Sequence, residues 1–228
     1  MRDGNRKHYR VLSVLPVVLL SLACEAGCGL VVSAGVPAVE PEVPNVVSLD
    51  PQNWYILYSA GMPLHPSADP EGAWSLEFPN AADGGHVNYV QTPFNATITP
   101  SQVAVTFKVE STDAQYVVTD ANDKPPATVR LFFEQQGDDL QDPNGRWWAQ
   151  SSMYDLGSQD GQTLTITVPL TFDKWSNVDG KFDAQAFSEA LKNVGWVGMT
   201  FGGQYFAGHG AAVSSGSAKY ILIAYDVN

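Results

Sequence analysis

The eight residues QVAVTFKV, positions 102–109, decide the fold. Val103, Val105, Phe107 and Val109 fall on one side of an extended chain, with Gln102, Ala104, Thr106 and Lys108 on the other. Side chains of a strand point alternately to its two faces, so this pattern describes a strand with one face in a core and the other toward water. The same alternation recurs in TVRLFFEQ (128–135) and in TLTITVP (163–169), where Leu164, Ile166 and Val168 share a face. Shorter strand signals precede these runs at Trp54–Tyr58, Trp74–Phe78 and His86–Gln91. WVGMTFG (196–202) and AKYILIAYDV (218–227) follow them. Pro, Gly, Asn and Asp punctuate the intervals. No crossover helices separate the strands, which favours an antiparallel sandwich over a parallel α/β fold.

One helix interrupts. DAQAFSEALKNVG (183–195) places Phe187, Ala190, Leu191 and Val194 on one helical face, with Asp183 as N-cap and Gly195 at the C-terminal end. This short amphipathic helix is expected to pack on an edge or end of the sandwich and to shield a sheet edge.

The N-terminus reads as an export signal over residues 1–23: four basic residues, Arg2, Arg6, Lys7 and Arg10, precede the short apolar run VLSVLPVVLLSLA. Leu20-Ser21-Leu22-Ala23-Cys24 resembles a bacterial lipoprotein signal, making Cys24 the expected lipidation site and the membrane a partner through a lipid anchor only. The alternative is an ordinary cleaved signal that leaves Cys24 and Cys28 as spare thiols. Residues 24–48 are rich in Val and Pro, with Pro37, Pro41 and Pro44 opposing a helix, and read as a tether or as an added edge strand. Residues 49–228 form the expected β-sandwich domain, long enough for a sizeable core.

Both cysteines precede this domain, so it holds no disulfide and depends on packing. Removal of the signal takes away four basic residues and one acid. That leaves eight Lys and Arg against 23 Asp and Glu, a net charge of −15. Such a surface argues against nucleic acid and against adhesion to anionic lipid, and is compatible with a neutral ligand.

Catalytic patterns are sparse. No Gly-x-Ser-x-Gly elbow is present, and VSSGSA (213–218) reads as a turn. His65, His86 and His209 are scattered, and no His-x-x-x-His pair occurs. His209, set between two glycines, reads as a turn residue. Glycoside hydrolysis needs two carboxylates about 5 to 9 Å apart. Glu77, Glu110, Glu134 and Asp155 lie in or beside strands and could converge, although no compact Glu-x-Asp-x-x-Glu run exists.

The aromatics carry more information. Six Trp, nine Tyr and ten Phe are many for this length, and only some suit a core, as Phe107, Phe132 and Trp196 do. Trp147 and Trp148 are adjacent on a strand, so one of them should face away from the core. Trp175 lies near a loop, and Tyr205 and Phe206 are flanked by glycines. Sugar rings stack their apolar faces on aromatic rings while polar neighbours meet the hydroxyls. The expected ligand-binding residues are therefore Trp147, Trp148, Trp175 and Tyr205 as stacking rings, with Arg146 and Gln204 as hydrogen-bonding groups. The alternative for each ring is to cover an end of the sandwich or pack under a loop.

RLFFEQQGDD (130–139) with Arg146-Trp147-Trp148, LTITVPLTFDKWSNVDGK (164–181) and the stretch 190–227 together resemble uncharacterised secreted bacterial proteins. Those proteins are in turn similar to galactose-binding-like and carbohydrate-binding-module jelly rolls. The resemblance spans about residues 50–228 and is most distinctive at Phe201–Gly210 and Arg146–Trp148. It implies a two-sheet jelly roll and no catalytic residues. Many such domains hold a structural calcium, for which Glu77 and Asp226 are candidates by chain position alone. No other cofactor is implied. The expected function is an exported lipoprotein that binds a polysaccharide or glycan without cleaving it, at the cell surface or in the periplasm. A structural or protein-interaction module and a sandwich glycoside hydrolase are the alternatives.

Overall fold

In a computed structural model of the protein the chain divides into two units, Met1–Pro41 and Glu42–Asn228. The structure describes residues 47–99, 101–119, 126–150, 154–203 and 210–228. The signal, Cys24, the tether up to residue 46, Gln204, Tyr205, Phe206 and His209 lie outside the described residues.

The strands are β1 (Tyr55–Leu57), β2 (Ser67–Ala68), β3 (Trp74–Glu77), β4 (Tyr89–Ala96), β5 (Gln102–Val118), β6 (Thr128–Gln135) and β7 (Arg146–Ala149). They continue as β8 (Tyr154–Asp155), β9 (Thr163–Pro169), β10 (Trp175–Asn177), β11 (Val194–Gly202) and β12 (Ala211–Val227), with one helix, α1 (Ala184–Leu191). A seven-stranded sheet runs β1-β4-β11-β6-β7-β10, with β8 paired to β6, and a five-stranded sheet runs β2-β3-β12-β5-β9. Every ladder between these strands is antiparallel. The two-layer antiparallel sandwich with one short helix is thus the observed architecture.

The alternation read from the sequence sets which side chains enter the interlayer core. Val103, Val105, Phe107 and Val109 of β5 are buried there with Val129, Leu131 and Phe133 of β6 and Ile166 and Val168 of β9. Large rings fill the centre. Trp54 lies 5.1 Å from Trp74, and Phe107 stacks on Tyr220 at 5.0 Å. A buried hydroxyl needs a partner, and two tyrosines find theirs across the layers. Tyr225 of β12 donates to the Gly198 carbonyl (3.1 Å) and Tyr220 to the Met199 sulfur (3.0 Å), both on β11. Val47 belongs to this core, and the indole of Trp54 donates to the Ser48 carbonyl at 2.7 Å.

Two expectations need correction. The Ser-rich run 213–218 is not a turn but part of the 17-residue β12, paired along its length with the equally long β5. Gly216 makes this possible. Its φ of 70° sits in a ladder irregularity, and a Cβ there would meet the carbonyls of Thr112 and Asp113. The helix also ends before its apolar pattern does. Lys192 is the C-cap, Val194 already pairs in β11, and Gly195 forms a bulge in that strand.

The helix start is as read: the Asp183 carboxylate accepts from the Ala186 N–H at 2.9 Å. The apolar face packs Phe187 against Trp147 (5.1 Å) and Phe133 (5.7 Å) at the end of the core. Asp183→Ala removes that cap. It should cost about 1 kcal/mol and lower the melting temperature by about 2–4 °C, followed by circular dichroism. An unchanged melt would mean the cap bond contributes nothing in solution.

Candidate functional site

The face of the seven-stranded sheet that points away from the core is the unusual surface. On β6 the inward residues are Val129, Leu131 and Phe133, so Thr128, Arg130, Phe132 and Glu134 share the opposite face. An outer face should be wet, yet Arg130 is 1% exposed, Phe132 1% and Glu134 7%. Neighbouring strands complete the face in register. One row runs Leu57, Tyr89, Thr200, Arg130. The next runs Tyr55, Gln91, Gly198, Phe132, Trp148, Ser176. The third runs Pro93, Trp196, Glu134, Arg146.

Aromatic rings touch one another along this surface. Tyr58, Tyr89, Phe132 and Trp148 form a chain with successive centroid distances of 5.2, 5.0 and 5.3 Å. Beside it, Tyr55 contacts Trp196 edge-on at 5.7 Å and His65 at 4.9 Å. Tyr58 is 54% exposed, and Tyr55 and Trp196 are half-buried. The exposed rings therefore stand at the β1 side, and the buried polar groups form the floor. Among the described residues, three buried polar atoms of the floor meet no hydrogen-bond partner: Gln91 Oε1, Thr200 Oγ1 and the Trp148 indole N–H. Each such atom costs about 1–3 kcal/mol.

Charged groups sit at both ends, Glu134 and Arg146 in the third row and Arg130 in the first. Arg146 is held on two sides. Its Nε faces the Asp138 carboxylate at 2.9 Å, an ion pair without a directed hydrogen bond. Its Nη2 donates to the Leu140 carbonyl at 3.2 Å. Burial pushes the Tyr89 hydroxyl up to about 12. Burial first, and then the nearby Asp138 charge, push Glu134 up to about 7. Burial brings Arg130 down to about 10, and its Nη1 donates to Gln150 Oε1 at 3.2 Å.

The structure splits the residues expected from sequence. Arg146 and Trp148 are on this face, and the parity argument for the Trp pair holds: Trp147 points inward and Trp148 outward. As stacking rings, Trp147 and Trp175 are corrected. Both are 0% exposed in the main core, where their indoles donate to the carbonyls of Asn144 (2.8 Å) and Pro169 (2.9 Å). Trp148, 3% exposed, belongs to the floor and offers no open ring. Gln204 and Tyr205 lie outside the described residues.

Sequence reading placed Trp196 and Phe132 in the core, whereas the structure puts both on the outer face. For Trp196 the bulge at Gly195 is the reason. It shifts the strand by one residue, so that Val194 and Val197 face inward and Trp196 outward. A Cβ at Gly195 would come within 2.7 Å of the Gln136 backbone, so the bulge needs glycine. Gln91, Arg130, Glu134 and Thr200 were missed as binding candidates.

The four acids considered for hydrolysis do not meet as one group. Glu77 and Glu110 share a row of the five-stranded sheet with Lys219 between them, their backbones roughly 10 Å apart, and Glu110 is ion-paired to both Lys219 and Lys108. Asp155 pairs with Thr128, six residues from Glu134 along β6, which is roughly 20 Å. Glu77 and Asp226 do not share a calcium site either, since Glu77 pairs with Lys219, seven residues from Asp226 on β12. No group of three or more metal-ligating side chains occurs among the described residues.

No protein-family model matches the chain, and no curated protein matches it. Among solved structures, a xylan-binding module, CBM15, is similar over 78% of this chain and 95% of its own, at 12% identity and a TM-score of 0.39. A suspected glycoside hydrolase of Bacteroides thetaiotaomicron is similar over 74% of this chain, at 12% identity and a TM-score of 0.32. Another, of Bacteroides vulgatus, is similar over 72%, at 11% identity and a TM-score of 0.30. This chain spans 48% and 61% of the length of those two proteins.

Proposed function

We propose that the outer face of the seven-stranded sheet binds a polysaccharide without cleaving it. One observation carries this reading: a face turned away from the core combines partly open rings with buried polar atoms that meet no partner among the described residues. A chain of sugars would lay its apolar C–H faces on Tyr55, Tyr58 and Trp196, and side-chain movement on binding would bring its hydroxyls to Gln91, Thr200 and the Trp148 N–H beneath them. The acidic overall charge suits an uncharged glycan. Of the two acids that meet on this face, Asp138 is buried in an ion pair with Arg146, which favours binding over hydrolysis.

The test is retardation in native gels containing soluble arabinoxylan, mixed-linkage glucan or galactomannan. At least one should slow the protein, and replacing Tyr55, Tyr58 and Trp196 together with alanine should weaken that interaction roughly 30-fold. Retardation unchanged by the triple replacement would remove this face from the account. No retardation by any of the three would leave the second reading, a protein-interaction module, for which the same open rings would serve.

The proposal includes export and acylation at Cys24, which would hold the domain at a membrane surface. Cells fed labelled palmitate should label the full chain, and Cys24→Ser should abolish the label. Equal labelling of both would place the lipid elsewhere.

A further inference from the structure

The end of the face where Trp196, Glu134 and Arg146 share a row has a use beyond general affinity. Two acids and one arginine meet there, and the arginine is already committed. Asp138, whose side chain is 1% exposed, forms an ion pair with the Arg146 Nε, and the Leu140 carbonyl accepts from Nη2. Glu134, 7% exposed, is thus left beside a second carboxylate, with an arginine whose charge is balanced by Asp138. Its row neighbour on the other side is the indole of Trp196, which carries no charge. A buried carboxyl in such surroundings keeps its proton more readily than one in water. Unlike a carboxylate, a carboxylic acid can donate a hydrogen bond.

We propose that Glu134 is a specificity-determining residue of this face, acting as a neutral carboxylic acid that donates a hydrogen bond to an acceptor oxygen of the bound glycan. The inference rests on the polysaccharide reading and deepens it. The donor selects a sugar that presents a ring, bridging or hydroxyl oxygen beside the Trp196 ring. It also makes binding sensitive to pH. When the proton leaves, the donor becomes an acceptor facing an acceptor, and the contact turns repulsive. The groups that face Glu134 are Arg146 from β7, Asp138 from the turn that follows β6, and Tyr89 from β4. Arg130 lies farther along the same strand, and His65 lies behind Tyr55. With Glu134 titrating at about 7, its acid form dominates at pH 5.5 and its anion at pH 8.5.

The experiment measures retardation by the same three polysaccharides at pH 5.5 and pH 8.5 for the wild type, Glu134→Gln and His65→Gln. Wild-type affinity should fall about tenfold between the two pH values. Glu134→Gln keeps a donor that cannot ionise, so it should bind comparably at both. His65→Gln should retain the wild-type fall. A pH-independent wild type overturns the inference while leaving the polysaccharide reading intact. So does a Glu134→Gln protein that still loses affinity at pH 8.5, or a His65→Gln protein that no longer does. Failure of every polysaccharide at both pH values overturns the binding reading and this inference together.

Discussion

Trp147→Ala should destabilise the protein by about 3–5 kcal/mol and lower its melting temperature by about 10 °C. The indole is 0% exposed, packs edge-on against Phe187 at 5.1 Å and donates to the Asn144 carbonyl at 2.8 Å. Truncation opens a cavity beneath α1 and orphans that carbonyl, so the transfer, cavity and hydrogen-bond costs act together. Trp148→Ala is the informative partner. That ring lies in the small outer cluster with Tyr89 and Phe132, and its N–H meets no partner among the described residues. Removing it deletes an unsatisfied donor along with the packing, so its cost should be the smaller of the two. Thermal melts of the two variants at one pH make the comparison. A Trp148 variant as unstable as the Trp147 variant would mean that the outer face is structural core and no ligand floor.

The pair also shows what was legible in the sequence. Period-two alternation gave the inward and outward sets of β5 and β9 because hydrophobic burial must choose one face of a strand, whereas on β6, with Phe132 and Phe133 adjacent, the reading took the outward Phe132 for core. It also divided Trp147 from Trp148. Alternation fails where the register slips, because it assumes that every residue advances the strand equally. The bulge at Gly195 breaks that assumption and moves Trp196 from its expected core position to the outer face. In β12 the polar serines look like a turn only because the long partner β5, which holds them extended, is remote in sequence. The site left a fainter trace. Arg130, Phe132 and Glu134 alternate with core residues in TVRLFFEQ, and a large ring between two opposite charges does not suit a purely wetted face. Which rings are open and which sunk depends on neighbours from β1, β4, β7 and β11, and no local pattern specifies those.

Gly198→Ala should be nearly as costly, although it adds a single methyl group. Gly198 lies at the middle of β11, between Gln91 of β4 and Phe132 of β6. A Cβ there would come within 2.3 Å of the Val90 carbonyl oxygen and 2.7 Å of the Gln91 Cα. Both are backbone atoms of the adjacent strand, so no rotamer change relieves the contact and the strands must part. That breaks ladder hydrogen bonds at the centre of the larger sheet and disturbs the carbonyl that accepts from Tyr225. Overpacking of this kind reaches about 3 kcal/mol, a fall of about 6–12 °C in melting temperature. Gly157→Ala is the control: its Cβ would approach the Asp155 carboxylate at 3.3 Å and the Tyr116 ring at 3.7 Å, both movable side chains, and should cost little. The two melts separate a requirement for close backbone approach from a general intolerance of alanine. Parting β4 from β11 would also displace Gln91 and Tyr89 on the outer face, so destabilisation and weaker polysaccharide binding should appear together in Gly198→Ala. A variant that melts like the wild type would show that β4 and β11 are farther apart than described.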